Sequence, residues 1–112
     1  MVLCDPGDIA IVPFPFTDIA LAKPRPALTL SSRRANEDSG NTVFAMITTA
    51  GRSHWPQDVP LTDCQSAGLT AASLVRIKLF TLDNRLIARR IGTLSLRDRK
   101  AVRQLVHGLL TI

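Results

Sequence analysis

The sequence predicts a mainly β protein in which a small, strongly bent sheet or partly open barrel is followed by one C-terminal helix. Short runs of β-branched and apolar residues, separated by clusters of turn residues, occupy most of the chain. Apolar residues at a spacing of about 3.6 appear in the final segment. Strands and helices therefore do not alternate as βαβ units require, which argues against a parallel α/β sheet.

Six strands are predicted, each a short apolar run between turn residues. They occupy residues 7–14, 25–31, 42–49, 58–61, 73–80 and 86–93. Pro13 and Pro15 cannot donate to a β ladder, so the first strand bends there or runs along an edge. The second and third strands are expected to form a hairpin.

The connections between these strands are predicted to be irregular. They comprise loops at residues 17–24 and 50–55, a turn cluster at 33–41, and turns at 67–69 and 83–84. The turn cluster is rich in Asn, Asp, Ser and Gly, which favour turns over regular structure.

The fifth strand has the clearest alternation of side chains. One face carries Val75, Ile77 and Leu79, and the other carries Leu74, Arg76, Lys78 and Phe80. Arg76 and Lys78 are therefore expected to be neighbours on one face.

The C-terminal helix is predicted to begin at Ser95 and to run to about Gly108. Ser95 and Asp98 resemble a capping box, although the usual partner is Glu or Gln. Apolar residues fall on one face, which is expected to pack on the sheet: Ala101, Val102, Leu105, Val106, Leu109 and Leu110.

Length and charge limit the functions that the chain can have. A chain of 112 residues suits one domain, residues 1–112. Fourteen Lys and Arg against nine Asp and Glu give a formal net charge of +5, which favours nucleic acid or an acidic protein segment as partner. Four Phe, one Trp and no Tyr argue against an aromatic RNA-stacking sheet of the RRM kind.

Targeting signals and cysteine spacing predict the compartment. The longest apolar runs are strand-length and interrupted, so no membrane-spanning helix or signal-peptide core is expected. Cys4 and Cys64 lack the paired spacing of a zinc site, and we interpret them as reduced thiols. We therefore expect a cytoplasmic protein.

The order of short motifs along the chain resembles one known family. The motifs are Gly7-Asp8-Ile9, Val12-Pro13-Phe14-Pro15-Phe16, Arg25-Pro26-Ala27-Leu28, Ile47-Thr48, Gly68-Leu69, Ser73-Leu74-Val75 and residues 86–94 with the closing helix. This ordered set resembles the MazF/PemK family of toxins from toxin–antitoxin pairs. The resemblance covers essentially the whole chain, and Arg-Pro-Ala-Leu after a loop is its more specific part.

The resemblance implies a small SH3-like barrel of about five to seven strands. It also implies a homodimer that cleaves single-stranded RNA at short sequence motifs and leaves a 2′,3′-cyclic phosphate. In that reaction the ribose 2′-OH attacks the adjacent phosphorus, so proton transfer and stabilisation of an anionic phosphorane are needed. Neither requirement calls for a metal or a cofactor.

Two residues match the family's catalytic positions. Arg25 matches the catalytic arginine at the start of the second strand, where a planar guanidinium can bind two phosphate oxygens. Thr48 matches the threonine at the end of the third strand, placed to donate a hydrogen bond to phosphate. Thr49 is the adjacent alternative, because only one of two consecutive strand residues faces the cleft.

Three further candidates for RNA contacts are weaker matches. Ser31 ends a strand, where serine is usually structural. Arg76 matches an arginine that some family members use, with an aspartate two residues later; here that position is Lys78, which cannot serve as a carboxylate base near neutral pH. We interpret Arg76 and Lys78 as RNA-phosphate contacts, with a plain solvated face as the alternative.

The loop after the third strand adds two candidates. His54 titrates near neutrality and is a candidate base or an incidental loop residue. Trp55 could stack on a base, or could cover the core or a dimer seam. The general base itself is left unassigned, and the cleavage sequence is expected to depend on residues 17–24 and 50–56.

Alternative functions remain open. CcdB-like toxins share the barrel and bind DNA gyrase, but that family's Trp-Gly-Ile ending is replaced here by Leu109-Leu110-Thr111-Ile112. A degenerate member would bind RNA or antitoxin without cleaving. If the chain is a toxin, an acidic, partly disordered antitoxin is the expected partner, bound by a groove containing Arg25, Arg76 and Lys78.

Overall fold

The computed structural model describes residues 1–15 and 23–112. The predicted loop at residues 17–24 and Phe16 therefore lie largely outside the described residues. Within the described ranges the elements are β1 (Asp8–Pro13), β2 (Pro24–Thr29), α1 (Arg33–Ser39), β3 (Asn41–Thr49), β4 (Val59–Pro60), β5 (Ser73–Asp83), a 3₁₀ turn (Asn84–Leu86), β6 (Arg89–Thr93) and α2 (Leu96–Leu109).

The strands form one curled antiparallel sheet in the order β4-β5-β3-β2-β1-β6. The edge strand β6 contacts the loop that follows β4, the opposite edge strand, because the Thr93 amide donates to the Ser66 carbonyl at 3.1 Å. A Cβ on Gly92 would lie 2.3 Å from the Ala67 carbonyl carbon, so this close approach requires glycine. The result is a half-barrel with a C-terminal helix, which confirms the predicted fold class.

Each face of the sheet carries its own apolar cluster. The side chains of Phe44 and Met46 point to one face and pack with Ala27, Phe80 and Val12. The second cluster lies on the opposite face, where α2 covers it: Ile9, Leu28, Ala45, Ile47, Ala67, Val75, Leu94 and Val102. Burial on both faces fixes the strand register, because a slip of one residue would exchange the two sets of side chains.

Pro13, the proline of β1, is tolerated because the ladder between β1 and β6 ends before it. β1 pairs with β6 only over Asp8 to Ile11, whereas Pro13 pairs with Pro24 of β2. Pro13 therefore lies beyond the last pair with β6, where a missing N–H removes no sheet hydrogen bond on that side.

The turn cluster predicted at residues 33–41 is wrong, because Arg33–Ser39 form α1. Ser32 is the N-cap, and its hydroxyl accepts from the Ala35 amide at 3.1 Å. Gly40 ends the helix in the left-handed region with φ 73°. The buried Asn36 amide group donates to the Cys4 carbonyl at 3.0 Å and anchors the helix. The Ser cap and the Gly cap were the sequence signals of a helix.

The second half has the predicted elements with shifted boundaries, and β4 is limited to Val59–Pro60. β5 continues to Asp83, and β6 begins at Arg89 because residues 84–86 form the 3₁₀ turn. The α2 prediction is confirmed, with Ser95 as the N-cap. In the part of the chain that the structure describes, no helix is long and apolar enough to cross a membrane.

Candidate functional site

Arg25 and Thr48 lie on the same face of the sheet, at the end where β2 begins and β3 ends. β2 and β3 pair Ala27 with Met46, the last pair of their ladder at this end, and Arg25 and Thr48 each lie two residues beyond it. Side chains two residues apart on a strand share a face, so both residues point to the side of Ala27 and Met46. We call this the Arg25 face. The register thus brings together the two predicted catalytic residues.

The two threonines at the end of β3 point in opposite directions. Thr48 shares the Arg25 face and pairs with Leu74, whereas Thr49 pairs with Ser73 on the other side. Thr48 is half-buried and Thr49 is exposed. Only Thr48 can act together with Arg25 on one bound group.

Arg25 is an exposed cation between Pro24 and Pro26 on β2, opposite Val12 of β1. Among the described residues no side chain forms a hydrogen bond or an ion pair with its guanidinium. Its five N–H donors are therefore available to a bound anion.

Arg76 has the opposite environment. It pairs with Met46, and so belongs to the Arg25 face, but its side chain is only 6% exposed. Nε donates to Asp58 Oδ1 at 3.0 Å and Nη2 donates to Asp58 Oδ2 at 2.9 Å. Nη1 donates to Ser53 Oγ at 2.9 Å. The guanidinium is thus already bound to the loop between β3 and β4.

The same loop places Trp55 against Arg76. The Arg76 Cζ lies 4.9 Å from the centre of the Trp55 ring, a cation–π geometry. The Trp55 amide donates to Asp58 Oδ2 at 2.9 Å, so ring and backbone are held by the same ion pair. We call Arg76, Asp58, Ser53 and Trp55 the Arg76 cluster.

The charges of the Arg76 cluster reinforce each other. The hydrogen bonds from Arg76 hold the pKa of the Asp58 carboxyl below its usual value, against the opposing effect of burial. The hydrogen bonds to Asp58 likewise raise the pKa of Arg76. His54 is exposed, and its charge contributes a smaller lowering of the Asp58 pKa. The pair is therefore ionised throughout the physiological range.

Lys78 lies in an irregularity of β5. Ala45 pairs with Leu79 and Met46 with Arg76, so Ile77 and Lys78 bulge out of the β3 ladder. The bulge interrupts the strict alternation predicted for this strand. Val75 and Leu79 nevertheless pack in the cluster under α2, and Phe80 packs on the other face.

Ser31 lies two residues beyond the end of β2, at the opposite end of that strand from Arg25, and its side chain is bonded within the fold. Its hydroxyl donates to Asn36 Oδ1 and accepts from the Val43 amide at 2.9 Å. The structure therefore brings Arg25, Thr48 and the Arg76 cluster to one end of the sheet, with His54 in the adjoining loop, and leaves Ser31 at the other end.

Sequence reasoning missed Asp58 and Ser53. Asp58 was assigned to the start of a strand, whereas it lies in the loop before β4. The missing carboxylate at Lys78 was a signal that the acidic partner of Arg76 had to come from elsewhere. Nothing in the spacing of the sequence identified which acid supplies it.

Solved structures of toxins from toxin–antitoxin pairs share this fold. The MazF chain of a MazE-MazF complex from Deinococcus radiodurans is 22% identical over 99% of both chains, with a TM-score of 0.78. Mycobacterium tuberculosis toxin MazF-mt6 is 24% identical over 90% of this chain and 93% of that chain, with a TM-score of 0.71. A mycobacterial endoribonuclease in complex with its cognate antitoxin is 16% identical over 96% and 93%, with a TM-score of 0.73.

The family follows from sequence. The profile of the PemK-like, MazF-like toxins of type II toxin–antitoxin systems matches residues 5–110. The chain belongs to this MazF/PemK family, which confirms the resemblance seen in its motifs. No curated protein matches it in sequence.

Proposed function

We propose that this toxin is an endoribonuclease that cleaves single-stranded RNA by attack of a ribose 2′-OH on the adjacent phosphorus. The observation that carries the proposal is the position of Arg25, an exposed cation on the same face as Thr48. The names of related toxins, including a mycobacterial endoribonuclease, support it. RNA cleavage also implies that the protein acts in the cytoplasm.

Arg25 stabilises the transition state. The attack produces a phosphorane with negative charge on its equatorial oxygens, and a guanidinium can donate two parallel hydrogen bonds to that group. The Thr48 hydroxyl donates a third. An arginine side chain stays protonated at neutral pH and is a poor base, so Arg25 does not remove the 2′-OH proton.

We propose His54 as the general base, and a substitution at this residue tests that role. His54 lies in the exposed loop beside the Arg76 cluster, and an imidazole can accept the proton of a 2′-OH. His54→Gln removes the titrating group and keeps a polar side chain. A pH–rate profile that is unchanged in this variant would assign the base to another group.

The toxin's binding partner in this proposal is a cognate antitoxin with an acidic segment. MazE-MazF complexes from Deinococcus radiodurans have the same toxin fold. A chain with a formal net charge of +5 and a free cation at Arg25 attracts such a segment. The acidic segment would occupy the surface that binds the RNA backbone and so block cleavage. Lys78 would add a cationic contact for either ligand.

We also propose a homodimer, joined through the apolar surface at the end of α2. An apolar recess runs between the sheet and this helix, lined by Leu30, Val43, Leu79, Val106 and Leu110. Leu110 is 58% exposed, and Leu109 beside it is 37% exposed. A second copy of the chain would cover these side chains. Light scattering of the wild type and of Leu110→Lys tests this, and a monomeric wild type would contradict it.

The direct test is cleavage of a mixed-sequence single-stranded RNA by purified, antitoxin-free protein in EDTA. Cuts with 2′,3′-cyclic phosphate ends would support cleavage by the 2′-OH without a metal. Cuts with 3′-hydroxyl and 5′-phosphate ends would contradict the mechanism. Intact RNA would contradict the nuclease and lead to assays of gyrase binding and of RNA binding without cleavage.

A further inference from the structure

We propose that Asp58 and Arg76 are positioning residues that hold Trp55 as a stacking surface for one nucleobase of the bound strand. The inference rests on the proposed function, because it assumes that a single-stranded nucleic acid binds the Arg25 face. It assigns Arg76 a role different from the phosphate contact predicted from sequence.

The first argument is that the Arg76 guanidinium is already engaged, because three of its five N–H groups donate to Asp58 and Ser53. One edge of the guanidinium binds both oxygens of Asp58, and Nη1 binds Ser53. The side chains of Arg76 and Asp58 are 6% and 3% exposed. A phosphate that bound Arg76 would have to displace Asp58 and leave a buried carboxylate without its partner, which is unfavourable.

The second argument is the geometry of Trp55. One face of its ring lies on the Arg76 guanidinium, with Cζ 4.9 Å from the ring centre. Trp55 is still 38% exposed, whereas Phe14, Phe44 and Phe80 are buried. Its backbone amide is fixed on Asp58, so the ring is restrained before a ligand arrives. A restrained aromatic ring with an exposed surface is suited to stacking on a base, and such stacking tolerates any base.

The third argument is the position of the Arg76 cluster relative to Arg25. Thr48 and Met46 are successive residues on one face of β3, and Arg76 pairs with Met46. Neighbouring strands are about 5 Å apart and same-face residues on a strand about 7 Å apart. By these spacings Arg76 lies two strands, about 10 Å, across the sheet from Arg25, and the loop that carries Trp55 starts one residue after Thr49. A base next to the scissile phosphate is the one that Trp55 would contact.

The test uses a 2′-O-methyl oligoribonucleotide of mixed sequence, which lacks the attacking hydroxyl and cannot be cleaved by the proposed route. Binding is measured by the fluorescence anisotropy of a label on the oligonucleotide. Trp55 is the chain's one tryptophan, so its intrinsic emission reports the ring directly. The matched control is Asp83→Asn, which removes another Asp–Arg pair, with Arg85, far along β5.

We expect Asp58→Asn to shift the Trp55 emission to longer wavelength and to weaken oligonucleotide binding about ten-fold, the size of one lost base stack. Arg76→Lys should do the same, because an ammonium cannot bind Asp58 at two points and lie flat on the ring. Trp55→Ala should weaken binding to the same extent, and Trp55→Phe should restore most of it. Asp83→Asn should change neither signal.

Binding by Trp55→Ala that equals wild-type binding would overturn the proposal; the variant changes a side chain that is 38% exposed and belongs to neither apolar cluster. A shifted emission in Asp58→Asn with wild-type binding would also overturn it. Wild type that binds the oligonucleotide but leaves RNA intact would contradict the nuclease while leaving the stacking surface standing. The two failures are therefore distinguishable.

Discussion

Arg76 and Asp58 form a bidentate, buried ion pair that joins β5 to the loop after β3, with donor–acceptor distances of 3.0 and 2.9 Å. Removing one partner leaves the other charge buried without compensation. We predict that Asp58→Ala lowers the free energy of unfolding by about 3 kcal/mol, the lower end for a buried pair because the covering loop is exposed. Urea unfolding measures this change.

A double variant separates the interaction between Asp58 and Arg76 from the contribution of each residue alone. Asp58→Leu combined with Arg76→Met replaces both charges by apolar groups, and should recover much of the stability lost in either single variant. A loss of stability in the double variant equal to the sum of the two single losses would show that the two residues do not interact.

The stabilisation from Asp58 should depend on pH in one direction. Hydrogen bonds from Arg76 lower the carboxyl pKa below its ordinary 3.8 in the folded protein. The contribution is therefore full above the unfolded pKa of about 4 and is lost as the pH falls through the lower folded value. The stability difference between wild type and Asp58→Asn should be constant from about pH 5 to 8 and shrink below about pH 4. A difference that grows towards acidic pH would have the wrong sign.

Asp98 is predicted to stabilise the segment between β4 and β5. It is 1% exposed and accepts from the Thr62 amide and hydroxyl and from the Asp63 amide, at 2.7–3.0 Å. Burial opposes its charge, but these hydrogen bonds outweigh burial and the pKa lies below its usual value. Asp98→Asn should cost about 2–3 kcal/mol in thermal or urea unfolding. The exposed Asp38→Asn is the control, and similar losses in both variants would exclude a specific role.

The two threonines of β3 provide a matched pair for catalysis. Thr48 shares the face of Arg25 and Thr49 does not. Valine keeps the shape and strand preference of threonine and removes the hydroxyl. Thr48→Val should lower kcat about 10- to 100-fold, as expected for one hydrogen bond to a charged transition state, and Thr49→Val should be near wild type. A larger loss of kcat in Thr49→Val than in Thr48→Val would place the RNA-binding cleft on the other face of the sheet.

Much of the fold could be predicted because its determinants are local. Alternating apolar residues set the strands, and the amphipathic pattern with Ser95 as cap set α2. α1 was missed because Asn36, Asp38 and Ser39 favour turns, and its stability comes from the Ser32 and Gly40 caps and from the buried Asn36. The bulge at Ile77 and Lys78 depends on pairing with β3, which spacing within one strand does not reveal.

Only part of the candidate site could be predicted from the sequence. Arg25 and Thr48 follow from their motifs, but α1 connects β2 to β3 in place of the predicted hairpin, and the pairing that puts both residues on one face comes from the structure. The partner of Arg76 is 18 positions away in sequence and on a different element, so no local pattern identifies it. The environment of an arginine, exposed for Arg25 and buried for Arg76, is a tertiary property.

The most direct test of the central claim is the single-turnover cleavage rate of Arg25→Ala on single-stranded RNA in EDTA, beside wild type and Arg34→Ala. Arg34 is 92% exposed on α1, so its variant controls for the loss of a surface charge. The account predicts a loss of at least about 100-fold in Arg25→Ala, as for removal of a transition-state donor, and wild-type cleavage in Arg34→Ala. Cleavage by Arg25→Ala within a few-fold of wild type would contradict it.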